Sequence, residues 1–260
     1  MKLRVFASGS KGNSLMVESP GGVRVLVDLG ISCGALKKRM AAGGFTGEID
    51  AVLFTHEHSD HAKGAEQFHK QHPAVPFYAN GLTAEAVARM ARLPDDLFHE
   101  FGTGEPFTLG DLTVHPIAIS HDTVEPVAFY IEDENGSSLF VGTDTGRVTD
   151  GFRTYFANAT CAILEANYDE EMLWTSNRSE YLKERIASSV GHLSNEDAAA
   201  LVRANAGENL RILLAAHRSQ QCNEAAIVEK TLLRALDAAG CRDTQFATLE
   251  QDFPSPVWQF

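Results

Sequence analysis

The sequence predicts an α/β or α+β fold, in which β-sheets are flanked by helices. Short runs with the alternation and β-branched content of strands recur through the first two thirds of the chain, and helical stretches interrupt them. A length of 260 residues suits one large domain or two small ones, and the chain has no internal repeat, low-complexity segment or long linker. We therefore predict a single domain over residues 1–260.

The predicted elements alternate along the chain. Strands are predicted at 3–6, 14–17, 23–27, 51–54, 75–78, 112–115, 127–131, 138–141, 161–164 and 211–215. Helices are predicted at 33–43, 62–71, 82–92, 177–188, 195–206 and 223–239. Gly21-Gly22 and Glu134-Asn135-Gly136 stand between consecutive strands and predict hairpin turns. Ser194, followed by acidic residues, is typical of a capped helix start.

A histidine-rich run, Thr-His-Glu-His-Ser-Asp-His at 55–61, follows one of these strands and contains the pattern H-x-H-x-D-H. Imidazole and carboxylate are ligands that zinc, iron and manganese prefer. Side chains two residues apart in an extended stretch point the same way, so His56 and His58 can bind one ion together. Asp60 and His61 follow where the chain turns into a helix, and they can face a second ion. The alternative is a solvated, His-rich loop.

Three further ligand candidates, His121, Asp144 and His217, each follow an apolar run, which is where layered sheets usually carry their sites. His121 can complete the first set of ligands, and His217 the second. Asp144 has two carboxylate oxygens that can bridge both ions, and Gly142 and Gly146 leave room for close backbone approach. Any one of these residues alone would be an ordinary structural or surface residue, but together they indicate a dinuclear metal site.

The composition is that of a globular enzyme with an acidic balance. Lys and Arg total 22, Asp and Glu total 35, and the formal net charge is −13, which argues against nonspecific attraction to nucleic acid or anionic membrane. Two bound divalent ions would reverse this balance locally, so a polyanionic substrate stays open. The four cysteines form no C-x-x-C pair, and no stretch is typical of an export signal or a membrane span. We expect a cytoplasmic protein with reduced thiols.

The ligand pattern resembles the metallo-β-lactamase superfamily over nearly all of the chain. The resemblance implies a four-layer αββα sandwich with two metal ions at one edge. It also implies one ion bound by His56, His58 and His121, a second bound by Asp60, His61 and His217, and a bridging Asp144. The stretch between Asp144 and His217 is too short for the large inserted cap domain of some relatives.

A narrower resemblance, to the YycJ/WalJ-type branch, rests on five motifs. They are Ala-Ser-Gly-Ser-Lys-Gly-Asn-Ser (7–14), Asp-Leu-Gly (28–30), Ser-His-Asp-Thr-Val-Glu-Pro (120–126), Leu-Glu-Ala-Asn-Tyr (164–168) and Gly-His-Leu-Ser-Asn (191–195). That branch is regarded as nuclease-like, with 5′-to-3′ exonuclease activity on DNA. The chain departs from it at 216–219, where Ala-His-Arg-Ser replaces the usual Gly-His-Leu-Ser, so the role of Arg218 stays open.

Several side chains in these motifs are expected to act beside the metal ligands. Asp60 would also orient a metal-bound hydroxide that attacks the substrate, or it would accept the proton of that hydroxide. His192 either meets a phosphate or protonates a leaving oxygen, or it only packs its turn. Asp28 would orient a metal-bound imidazole, with a strand-end turn as the alternative. Candidates for substrate binding or support of the ligands, which are also ordinary turn formers, are Ser10, Asn13 and Asn167.

The sequence thus predicts a hydrolase with two divalent ions, zinc, manganese or iron, and a phosphodiesterase acting on DNA is the leading hypothesis. In it, a metal-bridging hydroxide attacks phosphorus. Alternatives are a small-molecule (cyclic or ribose) phosphodiesterase, a thioester hydrolase, and a metal-binding regulatory or scaffold protein. The apolar ending 253–260 either docks on the body or pairs with another subunit as a homo-oligomer. Solvated helix faces are the preferred interpretation of Arg147, Arg153, Arg178, Lys183 and Arg185, with a nucleic-acid path as the alternative.

Overall fold

Two mixed seven-stranded sheets form the centre of the protein. The structure, a computed structural model, describes residues 1–42 and 47–260. In the first sheet the strands are β1 (Lys2–Ala7), β2 (Ser14–Glu18), β3 (Arg24–Val27), β4 (Ala51–Leu53), β5 (Phe77–Ala79), β6 (Phe98–Glu100) and β14 (Trp258–Gln259), in the order β14-β1-β2-β3-β4-β5-β6. In the second they are β7 (Phe107–Leu109), β8 (Leu112–Ala118), β9 (Val127–Asp133), β10 (Ser138–Gly142), β11 (Cys161–Glu165), β12 (Ile212–Ala216) and β13 (Gln245–Thr248), in the order β13-β12-β11-β10-β9-β8-β7.

Helices cover the outer faces of both sheets. Those near the first sheet are α1 (Cys33–Ala41), α2 (Ser59–Ala62), α3 (Ala65–Gln71) and α4 (Gly81–Ala91). Those of the second half are α5 (Asp150–Asn158), α6 (Glu170–Thr175), α7 (Glu180–Ile186), α8 (Asn195–Asn205) and α9 (Ala225–Ala238). The helix predicted at 33–43 ends at Ala41, and position 43 lies outside the described residues.

Alternation along the strands divides the core into layers. On β12, Ile212 and Leu214 point into the cluster between the two sheets. Leu213 and Ala215 point the other way and pack with α8 and α9, against residues such as Leu232. A third cluster fills the space between the first sheet and α1, α3 and α4. Because successive side chains of a strand face opposite sides, each buried strand needs apolar residues throughout. The predicted αββα sandwich is confirmed.

Parallel pairing brings the carboxyl ends of several strands to common edges. Strands β3 to β6 pair in parallel, as do β10 to β13. The carboxyl end of each parallel strand therefore opens onto a loop at the same edge as its neighbours' loops. These loops carry the candidate site.

The structure confirms most of the predicted elements and adds several short ones. The turns at Gly21-Gly22 and Glu134-Asn135-Gly136 join antiparallel neighbours, as predicted. Ser194 caps α8, and its hydroxyl and the Asp197 carboxylate form a capping box. The elements without a prediction are α5, α6, β6, β7, β13 and β14.

The apolar carboxyl-terminal segment docks on the body. Trp258 pairs with Leu3 of β1, and the partly buried Trp258 and Phe260 pack against the core between the sheets. A homo-oligomer stays a prediction. None of the helices within residues 1–42 and 47–260 combines the length and apolar character needed to cross a bilayer.

Candidate metal centre

The candidate site is assembled from residues at strand ends. Asp28 follows β3, Asp144 follows β10 and His217 follows β12. These three residues have φ angles of 62°, 56° and 51°, the left-handed region that side chains other than glycine rarely adopt. Such conformations persist where the surrounding structure over-determines them, and they cluster at functional sites.

One group of ligand atoms comes from three imidazoles. His56, His58 and His121 each offer a nitrogen, and these nitrogens lie within 4.8 Å of one another. His58 Nδ1 is 3.2 Å from His121 Nε2. His56 Nε2 is buried and has no hydrogen-bond partner among residues 1–42 and 47–260. A buried ring nitrogen without a partner is costly, and a cation coordinated by it would remove that cost.

A second group contains Asp60, His61, Asp144 and His217, again with ligand atoms within 4.8 Å of one another. Asp60 Oδ2 lies 3.7 Å from His61 Nε2 and 3.4 Å from His217 Nε2. The imidazole of His61 is completely buried, and that of His217 almost so. The donor set, two imidazoles with two carboxylates, suits a divalent transition metal.

Asp144 lies between the two groups. Its Oδ2 is 3.0 Å from His61 Nε2 in the second group, and its Oδ1 is 4.0 Å from His121 Nε2 in the first. One carboxylate therefore reaches both groups with different oxygens. The structure thus brings all seven predicted ligand candidates to one rim, in two groups that fit a pair of cations.

Electrostatics at the rim also suit cations. Burial and the neighbouring His61 hold the pKa of His56 well below its usual value, so that His56 is neutral and its lone pair is available. Burial likewise lowers the pKa of His121. Although burial opposes ionisation of Asp60, His61 and the hydrogen bond with His217 lower its pKa to about 2. The first group thus offers neutral imidazoles, and the second an ionised Asp60 carboxylate, which are the protonation states that metal ligation requires of these side chains.

Asp28 holds one of these imidazoles in place. His61 Nδ1 donates to Asp28 Oδ2 over 2.6 Å, which leaves His61 Nε2 facing Asp60 and Asp144. The Thr55 amide and hydroxyl both donate to the same carboxylate, at 2.9 and 2.8 Å. Thr55 Oγ1 is also 3.0 Å from His56 Nδ1. Thr55 was not among the predicted site residues, although it directly precedes the ligand run.

Glu165 is the other site residue that the sequence analysis does not predict. It is fully buried, and its Oε1 accepts from His192 Nδ1 at 2.7 Å and from His217 Nδ1 at 3.1 Å. Its Oε2 accepts from the Thr145 amide at 3.0 Å. Burial raises the pKa of this carboxyl, but His192 and His217 outweigh burial and lower it. A sequence signal existed, because Glu165 ends an apolar strand just as Asp144 and His217 follow theirs.

His192 lies at the mouth of the site. Its ring is 5.2 Å, centroid to centroid, from the rings of both His121 and His217, and its side chain is 21% exposed. The bond from Nδ1 to Glu165 directs the opposite ring nitrogen away from that carboxylate. A pocket of about 240 Å³ opens here, lined by Ser10, His58, Ser59, Asp60, His121, Asp144, Arg185, His192 and His217.

Two of the remaining predicted residues contact the ligand candidates, and a third lines the pocket. Asn13 Nδ2 lies 2.9 Å from His61 Nε2, and Asn167 Nδ2 donates to the His217 carbonyl at 2.7 Å. Ser10 is exposed and lines the pocket. Arg218 turns from the pocket, donating to the Asn223 carbonyl at 3.3 Å.

The interpretation of the basic residues as solvated helix faces is wrong for Lys183. This side chain is buried, and its ammonium donates to the Trp174 carbonyl. Arg185 is exposed, as that interpretation expects, and it also lines the pocket and pairs with Asp122 at 2.5 Å. An amphipathic pattern alone could not reveal either contact, since both depend on the loops around α7.

The fold and this donor set are those of a metal-dependent hydrolase. The sequence model of a family described as "Beta-lactamase superfamily domain" matches residues 23–214. The chain belongs to the metallo-β-lactamase superfamily.

Individual relatives give a narrower match. The exodeoxyribonuclease WalJ of Streptococcus pneumoniae is 33% identical over 242 residues, which cover 92% of this chain and 89% of the relative. The exodeoxyribonuclease YycJ of Bacillus anthracis is 33% identical over 238 residues, which cover 91% and 89%. Among solved structures, the metallo-β-lactamase fold protein YhfI of Bacillus subtilis superposes with a TM-score of 0.72 at 18% identity, covering 99% of each chain. Both predicted resemblances are confirmed.

Proposed function

We propose that this chain is a metal-dependent exodeoxyribonuclease that hydrolyses DNA phosphodiester bonds in the 5′-to-3′ direction. The observation that carries the proposal is the convergence at one rim of two groups of ligand atoms with Asp144 between them. The similarity to WalJ and YycJ over most of both chains supports DNA as the substrate. The 5′-to-3′ direction comes from the resemblance to that branch.

The side chains present fit a pair of divalent ions. His56, His58 and His121 would hold one ion, Asp60, His61 and His217 the other, and Asp144 both. When bound, such a pair supplies a nucleophilic water near neutral pH and neutralises charge on the phosphodiester. Zinc and manganese both suit an imidazole-rich set with carboxylates, and iron is the third candidate. Elemental analysis of the purified protein distinguishes among the three.

Asp60 is proposed to position the attacking water. Its carboxylate has a pKa of about 2 and is therefore ionised at neutral pH, so it only accepts hydrogen bonds. It lines the pocket beside His217 and His61. An acceptor at this point orients a water molecule toward a phosphorus bound in the pocket.

His192 is proposed to protonate the leaving oxygen. Glu165 accepts from His192 Nδ1, which fixes the orientation of the ring. The other ring nitrogen is then free to donate toward a substrate in the pocket that His192 lines. Glu165 also accepts from His217, so one buried carboxylate positions a proposed acid and a proposed ligand.

The substrate class is tested with a panel. The purified protein, supplied with Zn²⁺ or Mn²⁺, is assayed on 5′-phosphorylated duplex and single-stranded DNA, a cyclic dinucleotide, bis-p-nitrophenyl phosphate and a thioester. We expect mononucleotides to be released from DNA. Turnover of the thioester or the cyclic dinucleotide without turnover of DNA would contradict the proposal. Absence of turnover of every substrate, with both ions bound, would favour a scaffold protein.

The residue roles are tested with three substitutions. Asp60→Ala removes a proposed ligand and should abolish hydrolysis and lower the metal content. His192→Ala should retain the metal but lose roughly 100-fold or more in turnover, which is typical for removal of a general acid. His115→Ala is the control, because His115 lies on β8 and bonds Glu132 away from the pocket. Full activity of Asp60→Ala, or normal turnover of His192→Ala, would remove the assigned role.

We also propose that residues 1–260 form one domain without a large inserted cap, and that the protein acts in the cytoplasm. Limited proteolysis that yields stable, separable fragments would contradict the single domain. Fractionation of cells that produce the protein tests the location.

A further inference from the structure

Helix α7 ends at the mouth of the pocket. Its last turn carries Arg185, which lines the pocket together with His58 and His121. The loop beyond this end runs to Gly191, whose carbonyl, like that of Val190, lies 3.1 Å from His121 Nδ1. The carboxyl end of α7 is therefore fixed to the site, whereas Tyr181 near its amino end does not line the pocket.

The carboxyl-terminal turn of α7 carries a cation at the pocket. Arg185 Nε and Nη2 lie 2.6 and 2.5 Å from Asp122 Oδ2, and the Arg185 side chain is still 45% exposed. Asp122 Oδ1 is in turn 3.9 Å from His58 Nε2. Asp122 takes up the Nε and Nη2 edge of the guanidinium, and Nη1 can still donate to a phosphate next to the one bound at the rim.

The amino-terminal turn of α7 carries an exposed aromatic ring. Tyr181 is 77% exposed, the largest exposed fraction among the large exposed apolar side chains of the described residues. It precedes Arg185 by four positions, so both lie on one helix face, roughly 6 Å apart along the axis. The opposite face anchors the helix, since Lys183 and Ile186 are buried. The ring is thus presented by a fixed element.

We propose that Tyr181 stacks on an unpaired base of the DNA strand whose neighbouring phosphate contacts Arg185. The inference rests on the proposed function and adds a substrate preference to it. The preferred DNA is single-stranded at the nucleotide that meets Tyr181. Two observations favour DNA as the occupant of this face. It is continuous with the pocket through Arg185, and it pairs a cation with an aromatic ring, the combination that single-strand binding uses. A base paired inside a duplex is stacked on both faces and would not expose either face to the ring.

Substitution of Tyr181 tests the stacking. Tyr181→Ala should raise KM for a short single-stranded DNA by roughly 10-fold or more, with kcat little changed, because one base-aromatic stack is lost. Tyr181→Phe keeps the ring and should behave like the original protein. Hydrolysis of bis-p-nitrophenyl phosphate, which has no base, should be the same in all three proteins. Leu233→Ala, at an exposed position of α9, is the surface control.

A substrate with one abasic nucleotide makes the test specific. The abasic position is moved along the strand to find the nucleotide that raises KM for the original protein. With that substrate, Tyr181→Ala should cause no further rise, because the ring then has no partner. An unchanged KM of Tyr181→Ala on intact single strands, or an equal effect on intact and abasic strands, overturns the stacking role. Hydrolysis of bis-p-nitrophenyl phosphate but of no DNA by the original protein would instead overturn the proposed function.

Discussion

At the scale of single residues, several of the proposed histidine ligands share one arrangement. His56, His61 and His121 each have Nδ1 beside an oxygen, from Thr55, Asp28 and the backbone carbonyls of 190–191 respectively. Such a contact fixes the orientation of the ring and leaves Nε2 for a cation. The ligand set alone therefore does not determine metal affinity, because its partners select which nitrogen is offered.

Thr55 provides a sharp test of this principle. Thr55→Val keeps the side-chain shape but removes the hydroxyl that connects Asp28 with His56. We expect the affinity for metal to fall by roughly 10- to 100-fold, the usual effect of losing a contact behind a ligand. Competition with a chromophoric chelator measures it. Thr55→Ser, which keeps the hydroxyl, is the matched control, and equal affinity of Thr55→Val and Thr55→Ser would show that the hydroxyl does not position His56.

At the scale of elements, close backbone contacts hold the loops of the site together. The amide of Gly30, three residues after the end of β3, donates to the Asn13 carbonyl at 2.8 Å, and the amide of Asn13 donates to the Asp60 carbonyl at 2.7 Å. A Cβ added to Gly30 would overlap the Asp60 carbonyl oxygen. Three loops are thus locked by backbone hydrogen bonds at a point where no side chain fits.

Gly30→Ala should therefore separate these loops. We expect a loss of about 1–3 kcal/mol in the free energy of unfolding, as for overpacking, and a loss of metal at the Asp60 side of the site. Urea denaturation and metal content measure the two effects. Gly34→Ala is the control, because a Cβ there, on the exposed side of α1, has open space. Replacing Gly by Ala in a helix should leave the stability of the protein unchanged or raise it slightly. Identical behaviour of the two variants would show that the Asp60 loop is not held by Gly30.

The same scale shows which elements the sequence could predict. Strands with three or more consecutive apolar residues, such as β10 and β11, carry a long enough apolar run to be recognised. The three-residue strands β6 and β7 do not, and β13 is a partly exposed edge strand. Their pairing is decided by neighbours distant in the chain, which a local pattern does not contain.

At the scale of the whole molecule, the ligand candidates could be predicted because one topological rule places them. Residues at the carboxyl ends of parallel strands meet at one edge, so His121, Asp144 and His217 could be grouped with the run at 55–61. The roles of Thr55 and Glu165 could not be predicted from the sequence, because they depend on which imidazole nitrogen faces each side chain. The resemblance to a known family added the division of the ligands between two ions, which spacing alone could not supply.

Carboxylates with little exposure meet at the same edge. Four carboxylates that meet there, Asp28, Asp60, Asp144 and Glu165, have little or no exposure. Without cations, protonated imidazoles must balance them. Burial lowers the pKa of His217, but Asp144, Asp60 and Glu165 outweigh it and raise that pKa to about 10. His61 shifts in the same direction, well above its usual value, because of Asp144 and Asp28.

Protons and metal ions should therefore compete for the site. In the metal-free protein, His217 has a higher pKa when folded than the value of about 6.5 when unfolded. Its stabilising contribution is thus complete below about pH 6.5 and disappears as the pH rises through about 10. Metal binding releases these protons, so metal affinity increases with pH. The Tm difference between metal-loaded and chelator-treated protein should accordingly widen from about pH 6 to about pH 9. His217→Asn should flatten this dependence on pH. A constant Tm difference in the unsubstituted protein would show that metal binding does not displace protons from these imidazoles.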